Sequence, residues 1–251
     1  MKNNLHIIYR LSDMGENKER LDCINNKSCL ENFLQSFEAE QMEVVADNVK
    51  EETMQWLETY PFKHIHRTGL GNSGSFWFAC QLAFKMPPDD FVYLVENDYI
   101  HRPGAGTALL EGLQIADYVT LYDHPDKYVN GMNPKVKDGG ERSKVFLTNT
   151  THWKITNSST MTFAVKVSTL RKDSRIFKAY TVGVINGFPI LKRFQARKVP
   201  ADYNIFSALL DLKSRKIICP IPGFSTHGEK KYLSPLVDWA QYMKPVGSKC
   251  S

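Results

Sequence analysis

No two of the five cysteines in this 251-residue chain have the CxxC spacing that is typical of zinc and redox sites. An odd number of cysteines also argues against a complete disulfide framework. We therefore expect a protein of a reducing compartment whose fold does not depend on disulfides or a zinc cage.

Long apolar runs are missing as well. No window approaches the length of a membrane span, and the apolar run at 5–9 is too short for the core of a signal peptide. We expect a cytoplasmic protein. Lys244 and Lys249 make the C-terminal tail basic, which leaves peripheral attachment at a membrane open as an alternative.

The sequence has no concentrated block of one charge, no internal repeat and no low-complexity segment. Its formal net charge of +5 is spread along the chain, whereas nucleic-acid-binding proteins usually have a concentrated basic face. We expect no nucleic-acid partner and only a mild preference for anionic ligands. The length and the 42% hydrophobic content suit one globular domain over residues 1–251.

Short apolar runs and helical patterns alternate through the first hundred residues. This alternation predicts an α/β fold with a mainly parallel sheet and helices on both faces. The predicted strands are 5–9, 42–47, 63–68 and 91–95, and the predicted helices are 29–37, 49–60 and 73–85.

The second half of the chain gives a less regular pattern. It predicts helices at 106–116, 169–180 and 200–213, strands at 117–123 and 216–224, and β-like runs at 144–151 and 158–168. The polar stretch at 124–144 is too long for a simple connection, so we expect a lid or a binding loop there.

Charged side chains lie at or near the carboxyl end of each of the first four predicted strands. Arg10 follows the first strand, Asp47 ends the second, Arg67 lies in the third, and Glu96 and Asp98 follow the fourth. In open α/β sheets, ligands bind at the carboxyl ends of the strands. We therefore expect these side chains to lie near a ligand.

Glu96 and Asp98 are two residues apart and would project to the same side of an extended chain. Two carboxylates placed in this way can share a hard divalent cation, such as Mg²⁺ or Mn²⁺, together with substrate phosphates. A solvated acidic turn is the alternative for an isolated pair of acids.

Three further features bear on this choice. The segment GLGNSGS, which contains Gly71 and Asn72, precedes a helix and would let backbone N–H groups approach an anion. It does not follow the first strand, so it is not a dinucleotide fingerprint, and a bare turn is the alternative. Asp47 could accept from a nucleobase or a ribose, and the imidazole of His227 could complete the coordination of a metal.

Together these residues resemble the GT-A class of nucleotide-sugar-dependent glycosyltransferases, in particular its family-two-like group. The similarity is carried by EVVADNVKEET at 43–53 and by TGLGNSGSFWFACQLAFKMPPDDFVYLVENDYIHRPGA at 68–105. The sequence departs from the usual DxD metal motif of that class by having glutamate first, in Glu96-Asn97-Asp98.

The resemblance implies a role for each matching residue. Asp98 would be the main metal ligand, assisted by Glu96 and His227, and Glu96 could instead hold a ribose hydroxyl or a metal-bound water. Asp202, in the segment VPADYNIFSALL, would be the catalytic base, which implies inversion at the anomeric carbon. The residues expected to bind the nucleotide sugar are Arg10, Asp47, Arg67, Gly71, Asn72, Glu96 and Asn97.

The resemblance also implies a fold and a reaction. The fold would be GT-A, with a small antiparallel β portion in the C-terminal half; residues 1–105 would bind the donor and residues 106–251 the acceptor. The reaction would be Mn²⁺- or Mg²⁺-dependent transfer from a UDP- or GDP-sugar to a hydroxyl acceptor in glycan synthesis. A sugar nucleotidyltransferase and a non-catalytic nucleotide- or carbohydrate-binding module are the alternatives.

Several roles stay open at the level of sequence. Asp202 could simply cap a helix, a role that is compatible with acting as the base. If Asp202 is not the base, the next candidates are Asp123 and Asp173. His101 could contact the metal or a phosphate, or could be structural. Trp153, Tyr122 and Tyr128 could form a platform for an acceptor sugar, or could pack in the core.

Overall fold

The computed structural model describes residues 4–14, 19–133, 136–182 and 199–243, together with the backbone of two short strands at 184–185 and 188–189. Lys244 and Lys249 of the basic C-terminal tail lie outside the described residues. Membrane attachment through that tail therefore stays a prediction.

The described residues form thirteen β-strands. They are β1 (Leu5–Ser12), β2 (Met42–Asp47), β3 (His64–Thr68), β4 (Phe91–Glu96), β5 (Tyr99–His101), β6 (Tyr118–Val119), β7 (Val145–Leu147), β8 (His152–Ile155), β9 (Phe163–Lys166), β10 (Val184–Ile185), β11 (Phe188–Pro189), β12 (Ile217–Ile221) and β13 (Ser225–His227). Nine of them make one sheet in the order β3-β2-β1-β4-β9-β6-β12-β8-β7.

The N-terminal part of the sheet is parallel, as the alternating sequence pattern predicts. β1 pairs in parallel with both β2 and β4, and β2 pairs in parallel with β3. The pairing aligns Arg10 with Glu96 across β1 and β4. The carboxyl ends of these strands consequently meet at one edge of the sheet.

The antiparallel strands extend this sheet and also form separate pairs. Within the large sheet, β9 is antiparallel to β4 and β6, and β8 is antiparallel to β12 and β7. β5 and β13 form a separate two-stranded antiparallel sheet. The predicted α/β class, with its large sheet and a small antiparallel portion, is confirmed.

In the described part of the chain, six α-helices cover the two faces of the large sheet. They are α1 (Asn26–Phe33), α2 (Glu51–Leu57), α3 (Gly71–Ala83), α4 (Ala105–Ile115), α5 (Val167–Thr181) and α6 (Asp202–Lys213). One buried cluster joins β1 side chains such as Ile7 and Tyr9 to α1, α2 and α4, and a second joins Ile8 to α3, α5 and α6. Because neighbouring strand residues point to opposite faces, one strand supplies both cores.

The largest departures from the predicted elements lie beyond residue 116. The strand expected at 117–123 is only two residues long, and β8 forms in a segment for which no strand is predicted. β9 begins at Phe163, five residues later than predicted. The residues before β9 instead form a loop that contributes to the site described below.

The small β5–β13 sheet places a late part of the chain beside the end of β4. Its register aligns His227 with Tyr99, and Gly228 N donates to Asp98 O at 2.8 Å. A Cβ atom at Gly228 would collide with Ile24 Cδ1 and come within 3.0 Å of Asp98 O. A side chain at this position would force Ile24 and the backbone of Asp98 to shift, so glycine favours the close approach that places His227 next to Asp98.

Among the described residues, no helix combines the length and the apolar character needed to cross a membrane.

Candidate functional site

A cavity of about 480 Å³ lies at the carboxyl edge of the parallel strands. Residues that are distant in the sequence meet around it, including Ser12 at the end of β1, Asp47 at the end of β2 and Asp98 just after β4. Nine of the ten predicted site residues line this cavity: Arg10, Asp47, Gly71, Asn72, Glu96, Asn97, Asp98, Asp202 and His227.

Arg10 holds three of the elements around the cavity together. It is 7% exposed, and its Nη1 donates to Glu96 Oε1 at 3.0 Å. Its Nη2 donates to the backbone oxygen of Asn72 at 2.9 Å and to Asn72 Oδ1 at 2.7 Å. The guanidinium thereby fixes the start of α3 against the ends of β1 and β4, because its planar set of donors can serve several acceptors at once.

Glu96 is a partly buried carboxyl, with 18% of its side chain exposed, whose charge is balanced mainly by Arg10. Burial raises the pKa of Glu96 above its usual range, Arg10 acts in the opposite direction, and nearby Asp98 raises it further. A buried carboxylate is costly unless it is paired. The ion pair with Arg10 therefore distinguishes Glu96 from Asp98, whose side chain contacts other groups.

Asp98 lies in the turn after β4 and contacts two basic side chains. Its Oδ2 is 3.2 Å from His227 Nε2 and 3.1 Å from Arg20 Nη2. Asp98 is 9% exposed and His227 5% exposed, so both are largely shielded from bulk solvent. A carboxylate and an imidazole at this distance can bind one cation between them.

The donor set fits a divalent cation that completes its coordination with other ligands. Carboxylate oxygen and imidazole nitrogen both suit Mn²⁺, and Mg²⁺ is commonly bound through one or two carboxylates plus substrate phosphates. Across the described ranges, no cluster of three or more His, Cys, Asp or Glu side chains has an arrangement suited to a metal. Asp98 and His227 would thus need phosphate oxygens or water as the remaining ligands.

Asp47 holds the loop that leads into α3. Its Oδ1 accepts from Thr68 Oγ1 at 2.8 Å and from Leu70 N at 2.6 Å, and its Oδ2 accepts from Asn48 Nδ2 at 2.8 Å. Gly71 begins α3 with a φ of +71°, a conformation that favours glycine. The carboxylate and the glycine together place the start of α3 at the cavity wall.

Arg67 differs from the other predicted site residues. Its guanidinium donates to Glu51 Oε2 at 2.8 Å, and the two side chains are 51% and 62% exposed. It does not line the cavity, so the structure does not bring Arg67 together with the other predicted residues. The reason is its position on β3, the edge strand of the sheet, with its side chain directed to solvent and α2.

Asp202 is engaged by the loop that precedes β9. Its Oδ2 accepts from Ser158 Oγ at 2.7 Å, and its Oδ1 accepts from Ser159 Oγ and Met161 N, both at 3.0 Å. The N-cap of α6 is Ala201, which makes no side-chain capping bond. The alternative in which Asp202 caps its own helix therefore does not fit the structure, because its carboxylate accepts from the 158–161 loop instead.

The same loop supplies two cavity residues that sequence reasoning missed. Thr160 and Met161 line the cavity and have φ values of +47° and +57°. Such values are uncommon outside glycine, and Asp202 supplies hydrogen bonds that hold this conformation. Arg20 is another lining residue that was missed, because it lies in a charged segment with no periodic pattern.

His101 is a core residue rather than a ligand-facing one. It is 1% exposed, its ring packs edge-on against Phe33 at 5.0 Å, and its Nε2 is 2.9 Å from Tyr93 Oη. Burial lowers the pKa of His101 to about 3. Of the two alternatives for His101, a structural role therefore fits its position better than contact with a metal or a phosphate.

The other open candidates lie in packed surroundings, except for Tyr128, which is 39% exposed. Asp173 is buried and accepts from Arg215 Nε at 2.8 Å, while Asp123 forms an ion pair with Lys154 at 2.7 Å. Neither aspartate lines the cavity. Trp153 is fully buried in the core, so it offers no surface for an acceptor sugar.

No protein-family model matches this sequence, and a search of curated proteins also finds no match. Solved structures with a related arrangement of the chain include residues 1–349 of S. aureus TarS, at 14% identity and a TM-score of 0.48, where the alignment covers 91% of this chain and 59% of TarS 1–349. This chain thus spans about three fifths of that TarS fragment. TarS 1–349 has also been solved in complex with UDP-GlcNAc.

Two further structures align over most of their lengths. Mouse xyloside xylosyltransferase 1 aligns at 11% identity and a TM-score of 0.43, with 84% of each chain covered. The 4-diphosphocytidyl-2C-methyl-D-erythritol synthase of Anaerococcus prevotii aligns at 10% identity and a TM-score of 0.46, with 87% of each chain covered. At these values the likenesses describe a resemblance in fold and carry no argument about activity.

Proposed function

We propose that this chain transfers a sugar from a nucleotide diphosphate sugar, such as a UDP- or GDP-sugar, to a hydroxyl acceptor in glycan synthesis. The observation that carries the proposal is that Asp47, Glu96, Asp98, Asp202 and His227 meet around one cavity. Its volume of about 480 Å³ lies within the range typical of small-molecule sites. Its position at the carboxyl edge of parallel strands is also typical of nucleotide sites.

The proposed binding of the donor assigns a role to each wall of the cavity. Asp47 would accept from the nucleobase or ribose, near the start of α3. The backbone N–H groups of that helix would face the donor, since a helix start favours anions. Arg10 keeps Glu96 in place, and Glu96 would accept from a ribose hydroxyl or from a water molecule.

Asp98 and His227 would hold Mn²⁺ or Mg²⁺ beside the diphosphate. A bound divalent ion acts as a Lewis acid and compensates the negative charge of a leaving phosphate. Asp98 and His227 would hold this charge beside the donor, and their low exposure would limit competition by water. Charge compensation is more effective in such shielded surroundings.

Asp202 would act as the base that accepts the proton of the attacking hydroxyl, which implies inversion. Its two carboxylate oxygens accept hydrogen bonds from the hydroxyls of Ser158 and Ser159. Because serine hydroxyls can rotate, one of them can turn away when an acceptor hydroxyl arrives. A base of this kind contributes about 10²–10⁴-fold in rate.

The proposal is tested by incubating the protein with a panel of UDP- and GDP-sugars and Mn²⁺, and by measuring hydrolysis or transfer. We expect turnover of at least one sugar nucleotide, loss of turnover with a chelator, and loss in the variant Asp98→Asn. The matched control is Asp211→Asn, which changes an exposed aspartate on α6 and should retain turnover.

The other outcomes identify the alternatives. Release of pyrophosphate from a nucleoside triphosphate and a sugar phosphate would favour a nucleotidyltransferase. Binding of nucleotides or carbohydrates without any turnover would favour a binding module. If no sugar nucleotide binds at all, the proposed function is wrong.

A further inference from the structure

Arg20 is held at the cavity by its backbone. Lys230 N donates to Glu19 O at 2.9 Å, and Leu21 N donates to Gly228 O at 3.2 Å, so a short bridge pairs Arg20 with Glu229. This bridge directly follows His227 in β13. The chain fold therefore brings the Arg20 side chain to the same place as the proposed metal ligands.

Arg20 and His227 contact the same atom of Asp98. The Arg20 Nη2 to Asp98 Oδ2 distance is 3.1 Å, and the His227 Nε2 to Asp98 Oδ2 distance is 3.2 Å. A divalent ion would bind that oxygen at about 2.0–2.6 Å, according to the metal. A guanidinium on the same oxygen would then lie within a few ångströms of a doubly charged cation, and the two would repel each other.

The guanidinium of Arg20 also has an unused donor. Its Nε–H is buried without a hydrogen-bond acceptor, although the side chain as a whole is 26% exposed and lines the cavity. A buried donor without a partner is unfavourable. Arginine binds phosphate oxygens through two parallel hydrogen bonds, which would use such a donor.

We propose that Arg20 is a diphosphate-binding residue that shares Asp98 with the divalent cation. It pairs with Asp98 while the cation is absent, and it turns to the phosphates of the donor when the cation occupies the carboxylate. This inference rests on the proposed function. Its consequence is that the cation and the nucleotide bind cooperatively, because each favours the same displacement of Arg20.

The test is Mn²⁺ binding to the protein without nucleotide, measured by electron paramagnetic resonance, and UDP or GDP binding with saturating Mg²⁺, measured by calorimetry. In Arg20→Gln we expect Mn²⁺ to bind about five- to tenfold more tightly than in the wild type. The variant lacks the Arg20–Asp98 ion pair, which competes with the cation and contributes about 1 kcal/mol. The same variant should bind the nucleoside diphosphate about tenfold more weakly.

Two further variants make the comparison specific. Arg20→Lys retains the charge but not the paired donors, so Mn²⁺ affinity should stay near that of the wild type while nucleotide affinity falls. Arg175→Gln changes an exposed arginine on α5 and should alter neither affinity. Thermal melting of each variant checks that the fold is retained.

The inference is overturned if Arg20→Gln binds Mn²⁺ no more tightly than the wild type. It is also overturned if nucleotide affinity is the same in both proteins. If the wild type binds neither UDP nor GDP, the proposed function fails, whereas the Mn²⁺ comparison still reports whether Arg20 competes for Asp98.

Discussion

Lowering the pH from 7 to 5 tests the placement of His101 in the core. In the folded protein, burial among Phe33, Phe37 and Tyr93 lowers the pKa of His101 to about 3, compared with an ordinary value of 6.5. The unfolded chain therefore binds a proton at His101 between pH 7 and pH 5, while the folded protein does not. Stability falls with acidification, because protons that bind only the unfolded state favour unfolding.

The size of the effect follows from the ordinary pKa. For a histidine whose pKa is near 6.5 in the unfolded chain and which stays neutral in the folded state, the free energy of unfolding falls by about 2 kcal/mol from pH 7 to pH 5. The result requires only that the folded pKa lies well below 5. The contribution of His101 can therefore be separated from those of other groups by comparing the pH dependence of stability in the wild type and in a variant without His101.

The assay is urea unfolding at both pH values for the wild type and for His101→Phe. The variant loses the contact between His101 Nε2 and Tyr93 Oη, which lowers its stability similarly at both pH values. We expect the loss of stability on acidification to be about 2 kcal/mol smaller in the variant. His64→Phe, which changes an exposed histidine, should behave like the wild type. Equal losses in the wild type and His101→Phe would refute the core placement and restore His101 as a candidate ligand.

Three further substitutions test the core, a buried ion pair and the proposed base. In Gly112→Ala, the new Cβ would lie 2.9 Å from both Trp153 Cη2 and Val119 Cγ1, so the free energy of unfolding in urea should fall by about 1–3 kcal/mol. In the control Gly140→Ala, no atom lies within 4 Å of the new Cβ, so stability should not change. Lys154→Met leaves buried Asp123 without its ion-pair partner and should lower the free energy of unfolding by about 3–5 kcal/mol in the same assay. Lys166→Met removes a surface ion pair and should lower it by under about 1 kcal/mol. Similar losses in the two variants would contradict the buried pair. Asp202→Asn should reduce kcat about 10²–10⁴-fold while the donor dissociation constant stays within about twofold; near-normal turnover would show that the base lies elsewhere.

The fold of the N-terminal half could be predicted because its strands are buried apolar runs separated by helical patterns. The predicted strand 42–47 coincides with β2, and the strand before Glu96 differs by one residue from β4. Once these strands are parallel, the polar residues at their ends must share one edge of the sheet. The proximity of Asp47, Glu96 and Asp98 could therefore be predicted from the sequence.

The remaining contacts of the site depend on tertiary structure that short segments do not encode. β5, β8 and β13 have only three or four residues each, too few for a periodic pattern to be recognised. The loop at 158–161 has its conformation because Asp202, more than forty positions later, accepts its hydrogen bonds. Arg20 reaches Asp98 only through backbone bonds to the segment after His227.

The central claim is that the cavity binds a nucleotide diphosphate beside a divalent cation. The most direct measurement is a crystal structure of the protein soaked with Mn²⁺ and UDP or GDP. We predict a manganese anomalous peak between Asp98 and His227, phosphate oxygens coordinated to it, and the nucleobase or ribose next to Asp47. Density for the nucleotide at another surface, or a cavity that stays empty at saturating nucleotide and Mn²⁺, would contradict the claim.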